Sequence, residues 1–305
     1  MNEVKACGNA EALVFDLPLP ANYAIADVLR FHGRDKEQLA EAVDERQMQK
    51  GVLLADVPTV IDIRFDQAGA VAHCVVSADG EISALMTQHA NQSVLRLLGL
   101  LLDPQDFVRF TQDDPVFGPL AQRQSSIRVI QSPTVFEALT WAIMGQQINV
   151  AFAVSLRRTF IQAGARRHSS GLWCYPSAAD AASIPVETLT GKQFSRAKAE
   201  TLLRLSAAVA SGVIDLEPSA HNTLEKICAA LLAVKGIGPW TVNYALLRDY
   251  AHADCSLHGD VAVRSGLQRL YGMETRPDMA AAEKLLQQYR PHRTMAAAHL
   301  WASLG

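Results

Sequence analysis

Two features of the chain have residue types and spacing that could do chemistry together. The first is Gly236-Ile237-Gly238, followed by Pro239 and Trp240, set between two apolar helical patterns. A tight turn with two glycines presents backbone N–H groups at the start of a second helix, a geometry that holds a phosphate without a basic side chain. The second is Asp260, about one helix further on in Gly259-Asp260-Val261. A carboxylate in that place can stabilise a developing positive charge and orient or deprotonate a water. It can equally cap the helix that begins at Val261, and the two roles are compatible, because an aspartate at a helix N-terminus keeps its charge more readily.

The elements that must position these residues are helical. Leu224, Ile227, Cys228, Leu231 and Leu232 fall on one apolar face of a helix. Asn222 is the expected cap, with Glu225 three residues on as in a capping box. Pro239 suits the first turn of the next helix, where its missing N–H costs nothing, and Thr241 to Leu247 continue that helix. Further helices are predicted over Ser195–Ser211, Thr223–Val234, Trp240–Asp249, Asp260–Leu270, Met279–Tyr289 and Thr294–Ser303. A long helical stretch is predicted from Thr134, where Thr134-Val135-Phe136-Glu137 reads as a capping box, so that Gln146-Gln147 lies within a helical pattern. Val94 to Leu102 reads as one strongly apolar helix.

The first part of the chain is mixed. Thr59–Phe65 alternates, with Ile61, Ile63 and Phe65 on one face and Asp62 and Arg64 on the other. Val71–Ser77 and Val52–Ala55 are further strand candidates, with turns at 67–69 and 78–80. Tyr23–His32 and Lys36–Val43 read as helices. The fold class is therefore α+β: a small N-terminal antiparallel sheet domain with helices over 1–88, followed by an all-α domain over 89–305.

Length and composition set bounds. The 305 residues suffice for two domains with a sizeable core, and 49% hydrophobic with 19% charged residues is a globular composition. The net charge of −3 would by itself argue against a nucleic-acid partner, so any such contact must be local. No apolar run is long enough to span a bilayer, and Met1-Asn2-Glu3-Val4-Lys5 carries no secretory signal pattern. Cys7, Cys74, Cys174, Cys228 and Cys255 are odd in number and lack metal-clamp spacing, and the nine histidines are scattered. A reducing, cytoplasmic setting is the simplest expectation.

The run Lys235-Gly236-Ile237-Gly238-Pro239-Trp240-Thr241 resembles the helix-hairpin-helix of the base-excision DNA glycosylases, and Gly259-Asp260-Val261 resembles the segment that carries that superfamily's catalytic aspartate. Phe136 to Leu139, Ala142 to Gln147, Arg290-Pro291-His292-Arg293 and His299-Leu300-Trp301 are similar to the bacterial 3-methyladenine DNA glycosylases of type II. Tyr23 to Phe31 is similar too, so the likeness spans nearly the whole chain and is weakest between residues 32 and 90.

The resemblance implies a monofunctional glycosylase that flips an alkylated purine, such as 3-methyladenine or 7-methylguanine, out of double-stranded DNA. Asp260 then assists hydrolysis of the N-glycosidic bond through an oxocarbenium-like state. It implies an aromatic cleft at Phe31, Trp240 and Tyr244, whose rings attract a cationic base by roughly 0.5–2 kcal/mol each. Gln146 and Gln147 fall where the family contacts the duplex, Gln147 at the position that fills the gap left by the flipped base. His292 stands where the family places a pocket tryptophan, and a protonated imidazole there would repel a cationic base. Bifunctional members carry a Schiff-base lysine at the position of Trp240, so no lyase activity is expected. Gly236 and Gly238 are the expected phosphate grip, with Arg264 and Arg293 as further phosphate ligands. The carbonyls of Leu232, Val234 and Ile237 match those that hold a structural Na⁺ or K⁺, with no other cofactor; the iron–sulfur subclass is excluded because no cysteine follows Cys255. A monomer without membrane contact is expected. The alternatives are a glycosylase for other damaged bases on the same scaffold, or a non-catalytic DNA-binding hairpin protein, in which Asp260 would be unnecessary.

Overall fold

Alternating apolar residues build the N-terminal sheet. The computed structural model describes residues 3–7 and 10–304, with side chains from residue 12 onward. Met1, Asn2 and the side chain of Cys7 lie outside these. The strands and first helices are β1 (Glu3–Cys7), β2 (Ala10–Pro18), α1 (Ile25–His32), β3 (Glu41–Val43), β4 (Gln47–Leu54), β5 (Val57–Phe65), β6 (Val71–Ala78) and α2 (Ala84–Leu97). The six strands run antiparallel in the order β1-β2-β6-β5-β4-β3. Ile61, Ile63 and Phe65 are buried, as the alternation in β5 requires, and meet Val28 of α1 and Met86, Val94 and Leu97 of α2 in one core.

Among the described residues twelve helices follow: α3 (Pro104–Phe110), α4 (Gly118–Arg123), α5 (Val135–Gly145), α6 (Val150–Gly164), α7 (Ala178–Ala182), α8 (Val186–Thr190), α9 (Arg196–Ala210), α10 (Leu224–Leu232), α11 (Pro239–Arg248), α12 (Val261–Leu270), α13 (Met279–Gln287) and α14 (Arg293–Ala302). They enclose two cores, one around Leu139, Phe160, Leu202 and Leu231, the other around Phe107, Phe117, Leu267 and Leu300. No helix among the described residues is long and apolar enough to cross a membrane. Cys74, Cys174, Cys228 and Cys255 are free thiols.

Several expectations are corrected. Lys36–Val43 is not a helix: 36–40 form turns, and Glu41–Val43 is an edge strand paired to β4. The apolar helix expected over Val94–Leu102 is instead Ala84–Leu97; Gly99, at φ 63°, ends it, and Leu98 is buried in the following turn. The boundary at residue 88 falls inside α2, whose apolar face from Met86 to Leu97 belongs to the sheet core. The cap of α10 is Thr223, which accepts from the Lys226 N–H, while Asn222 donates to the Asp215 and Glu217 carbonyls.

At Thr134 only half of the capping box forms. The hydroxyl accepts from the Glu137 N–H, but the Glu137 carboxylate is drawn into the interior. There Lys50 of β4 donates to Glu41 at 2.5 Å and to Glu137 at 2.6 Å, and Arg157 of α6 reaches the same two carboxylates at 2.6 and 2.7 Å. Two cations and two anions cancel, which makes their burial between sheet and helices tolerable. Burial pushes the Glu41 carboxyl up, and Arg157 and Lys50 more than offset it, holding it below the usual carboxylate range. This cluster ties β3 and β4 to α5 and α6, so the sheet carries α1 to a fixed place beside the helical domain.

Candidate active site

The hairpin turn folds as its residues dictate. Gly236 has φ 100°, and a Cβ there would lie 2.1 Å from the Thr201 hydroxyl of α9. Gly238 is the extended N-cap of α11, with Pro239 at the first helical position. The turn is held from outside: Arg204 donates to the Lys235 carbonyl at 2.8 Å, and the Gln146 amide donates to the Gly236 carbonyl at 3.2 Å and to the Thr241 hydroxyl at 3.0 Å. Gln146 thus fixes the hairpin against the end of α5. Of the three cation-candidate carbonyls, that of Val234 already accepts from the Ile237 N–H at 3.0 Å.

The α11 helix carries the site from the turn. Trp240, Tyr244 and Arg248 stand at i, i+4 and i+8, on one face. Asp260 is the N-cap of α12: its Oδ1 accepts from the Val263 N–H at 2.9 Å. The same carboxylate accepts two indole N–H groups, Trp240 Nε1 on Oδ2 at 3.0 Å and Trp301 Nε1 on Oδ1 at 3.1 Å. Trp301 of α14 reaches it because α12 and α14 pack closely; a Cβ on Gly266 would sit 2.8 Å from that of Leu300. The carboxylate is half-buried, charge-complemented by the helix N-terminus, and connected to the hairpin by one side chain.

An aromatic group extends from it. The Tyr244 ring lies 5.3 Å from Trp240 and 6.3 Å from Trp301, and its hydroxyl accepts from Trp141 Nε1 at 3.0 Å. The Arg248 guanidinium sits among these rings, 5.7 Å from Tyr244, 5.4 Å from Trp301 and 5.0 Å from Phe31. Arg34 lies 4.0 Å from the Phe31 ring centre. A concavity lined by Phe31, Trp141, Tyr244, Arg34 and Arg248 opens beside them, floored by the buried Glu41, Lys50, Glu137 and Arg157.

The predicted residues divide accordingly. Asp260, Trp240, Tyr244 and Phe31 are brought together, although Phe31 meets arginines rather than the other rings. Gln147 is not inside a helix; it is exposed, at φ 58°, in the break between α5 and α6. His292 is elsewhere: it heads α14 with its ring 5.0 Å from Phe110 and 6.4 Å from Phe107 of α3. Arg293 is committed to Asp254, at 2.5 and 2.9 Å, and Arg264 donates to the Pro277 carbonyl at 3.3 Å. Sequence reasoning passed over Arg34, Trp141, Arg248 and the role of Trp301. Arg248 was findable from the i, i+4, i+8 spacing; nothing in the sequence ties Trp301 to a helix cap 41 positions away. No group of three or more His, Cys, Asp or Glu among the described residues is placed to hold a metal ion.

Comparison with known proteins gives this arrangement a context. Residues 140–292 match the family described as "HhH-GPD superfamily base excision DNA repair protein". The chain is 28% identical over 171 residues to a putative DNA-3-methyladenine glycosylase, YfjP, of Bacillus subtilis, covering 56% of this chain and 59% of that one. It is 22% identical over 294 residues to the DNA-3-methyladenine glycosylase of the same organism, covering 95% and 97%. The fold is similar to that of a 3-methyladenine DNA glycosylase from Archaeoglobus fulgidus, with a TM-score of 0.77, 19% identity, and coverage of 94% and 97%.

Proposed function

The chain belongs to the HhH-GPD superfamily of base excision DNA repair proteins, and from that premise we propose that it is a monofunctional DNA glycosylase that removes alkylated purines from double-stranded DNA. The observation that carries this reading is Asp260: a carboxylate held by two indole N–H groups and a helix N-terminus, one side chain from the hairpin turn.

The chemistry follows from charge. An alkylated purine carries a positive charge that weakens its bond to C1′. As the base departs, the sugar becomes an oxocarbenium ion, and Asp260 stabilises that ion and orients the incoming water. The three donors on the carboxylate fix its direction. Trp240 and Tyr244 offer faces for the extruded base. Gly236, Gly238 and the N-terminus of α11 hold the strand through main-chain N–H groups, and Gln147, projecting from an exposed bend, fills the vacated stack. The Leu232, Val234 and Ile237 carbonyls are the groups we assign to a monovalent cation; Val234 has one lone pair left for it after its bond to Ile237.

Trp240 stands where a Schiff-base lysine would act. Lys235 precedes the turn, and Lys198 donates to the Met144 and Gln146 carbonyls. Both facts support hydrolysis without strand cleavage. The test is chromatography of bases released from DNA treated with a methylating agent. The wild type is expected to release 3-methyladenine and 7-methylguanine and the Asp260→Asn variant to bind the DNA without releasing them; equal release by both would overturn the reading.

A further inference from the structure

The bend that carries Gln147 is held by a cation from another helix. An α-helix leaves its last carbonyls without intrahelical donors, and α5 has no basic residue in its own last turn. Lys198 of α9 supplies the donor: its ammonium bonds the Met144 carbonyl at 2.5 Å and the Gln146 carbonyl at 3.1 Å. The Gln146 carbonyl belongs to the peptide bond that leads into Gln147, so the ammonium fixes the plane from which that side chain projects. Gln147 needs such support, because φ 58° is a left-handed conformation that an L residue disfavours. The same helix holds the hairpin. The Thr201 hydroxyl, shared with the Ala197 carbonyl, reaches the Lys235 carbonyl at 3.3 Å, and Arg204 donates to it at 2.8 Å. Lys198, Thr201 and Arg204 follow one another at three-residue steps, along one side of α9. Gln146 completes the link, with its carbonyl on Lys198 and its side-chain amide on the Gly236 carbonyl. Bend and turn are thus fastened to one helix, although they are far apart in the chain.

We infer that Lys198 is a positioning residue for base extrusion: through α9 it sets the Gln147 bend in register with the Gly236–Gly238 turn. The inference rests on the glycosylase reading, with Gln147 as the residue that fills the stack, and deepens it. Extruding a base costs its pairing and stacking, and the cost is least where the base has no partner. A side chain entering the vacated stack offsets that cost only if it arrives where the turn places the strand. A bend that wanders relative to the turn loses this gain. Asp260, fastened to α11 by Trp240, keeps its place all the same. Loss of Lys198 therefore spares the hydrolytic step and impairs extrusion of a paired base. Arginine can donate to the same two carbonyls through its fork, whereas methionine keeps the length of the stem and donates nothing.

The experiment measures single-turnover release of 7-methylguanine, at saturating enzyme, from two duplexes: one with the lesion opposite cytosine, the other with it opposite an abasic-site analogue. The enzymes are wild type, Lys198→Met, Lys198→Arg, Gln147→Ala and the Gln147→Ala, Lys198→Met double variant. The readout is the ratio of the paired to the unpaired rate, which does not depend on how much of a variant is folded. Lys198→Met is expected to lower that ratio about threefold or more, and Lys198→Arg to restore most of it. With Gln147 already alanine, the same methionine is expected to lower the ratio by less than about threefold, because the two residues act as one unit. A smaller fall in Lys198→Met overturns the inference, including the case in which both rates drop alike because Lys198 only supports the fold or grips a phosphate. A fall as large in the Gln147→Ala background as in wild type overturns it too. If Lys198→Met does not fold, Lys198→Gln, which can make one of the two bonds, is read against the same limits. Either of these failures leaves the glycosylase reading standing. A wild type that binds both duplexes and releases base from neither overturns that reading as well.

Discussion

Trp240 donates its indole N–H to Oδ2 of Asp260 at 3.0 Å, and in doing so joins the Gly236–Gly238 turn to the Asp260 carboxylate. The bond ties Asp260 to the first turn of α11, so in the proposed reading a phosphate held at that turn and the C1′ of the same strand would keep a fixed separation. Trp240→Phe keeps the ring but removes the donor. Loss of one charged hydrogen bond corresponds to about 1.5–3 kcal/mol, so base release is expected to slow by roughly 10- to 100-fold. DNA affinity should change little. Asp260→Asn is expected to cost roughly 10²–10⁴ in single-turnover rate. A Trp240→Phe rate within twofold of wild type would mean that the indole only packs.

Borohydride treatment of the enzyme on DNA with an abasic site is expected to trap no covalent adduct above background. A Schiff base needs a neutral amine within reach of C1′, and in the proposed reading the residue at that position is Trp240. Lys198 donates to two carbonyls at the end of α5, and Lys235 precedes the turn. A trapped complex that disappears in Lys198→Ala would contradict this.

The sequence exposed the centre of the site better than its surroundings, and for a physical reason. Gly236, Gly238, Pro239 and Asp260 announce themselves because turn and cap chemistry is local. Trp240 and Tyr244 came from the resemblance, and the i, i+4 spacing that sets them on one face of α11 extends to Arg248. Glu41 was misread as helical because its strand is three residues long, at a sheet edge, and owes its conformation to pairing with β4 and to Lys50 and Arg157. His292 was placed in the cleft by its chain position, but the packing of α14 on α3 turns its ring toward Phe110. Trp301 and Arg34 reach the site from distant elements, and such juxtapositions are made only by tertiary packing.

Gln147 occupies a left-handed conformation, φ 58°, and is exposed. An L residue there costs about 1 kcal/mol relative to glycine, so the bend is held by its neighbours. Gln147→Ala removes the projecting amide and leaves that cost in place. Its affinity for duplex containing an abasic-site analogue is expected to fall several-fold, with a thermal midpoint within a degree of wild type. Unchanged affinity would remove Gln147 from the stack-filling role.

Asp254 binds both Arg290 and Arg293, and the Arg293 and Asp254 side chains are only 12% and 14% exposed. Burial raises the Asp254 carboxyl, and the two arginines outweigh it and leave it lowered. Removing Arg293 leaves the enclosed Asp254 with Arg290 alone, which is largely exposed. Arg293→Met is therefore expected to lower unfolding stability by about 2 kcal/mol in urea titrations. The salt dependence of DNA binding should not change, whereas loss of a phosphate contact would reduce its slope by about 0.9. A reduced slope with unchanged stability would return Arg293 to the DNA interface.

Two buried histidines set the acid limit of the fold. Burial brings both His32 and His299 down to about 4, against an ordinary value near 6.5. His32 holds the Leu97 carbonyl at 2.9 Å, while His299 Nε2 is sealed without a partner, so a proton added there would have no acceptor. The folded state therefore keeps both rings neutral in a range where the unfolded chain binds protons, and stability must rise with pH across it. Their contribution is complete above about 6.5, declines as pH falls, and is gone below about 4. By linkage each ring accounts for on the order of 3 kcal/mol over that window. The lowered carboxylates Glu41 and Asp254 lose their contribution only at still lower pH, and buried Asp249, raised by desolvation, takes up its proton earlier in the fold than in the unfolded chain and opposes the loss, so the histidines' share is read from the difference between variant and wild type. Urea unfolding at pH 7.5, 6.0 and 5.0 should show a declining stability whose decline is about half as steep in His299→Gln, whose amide does not titrate, while His32 remains. A variant as acid-sensitive as wild type would mean that His299 protonates without cost in the fold.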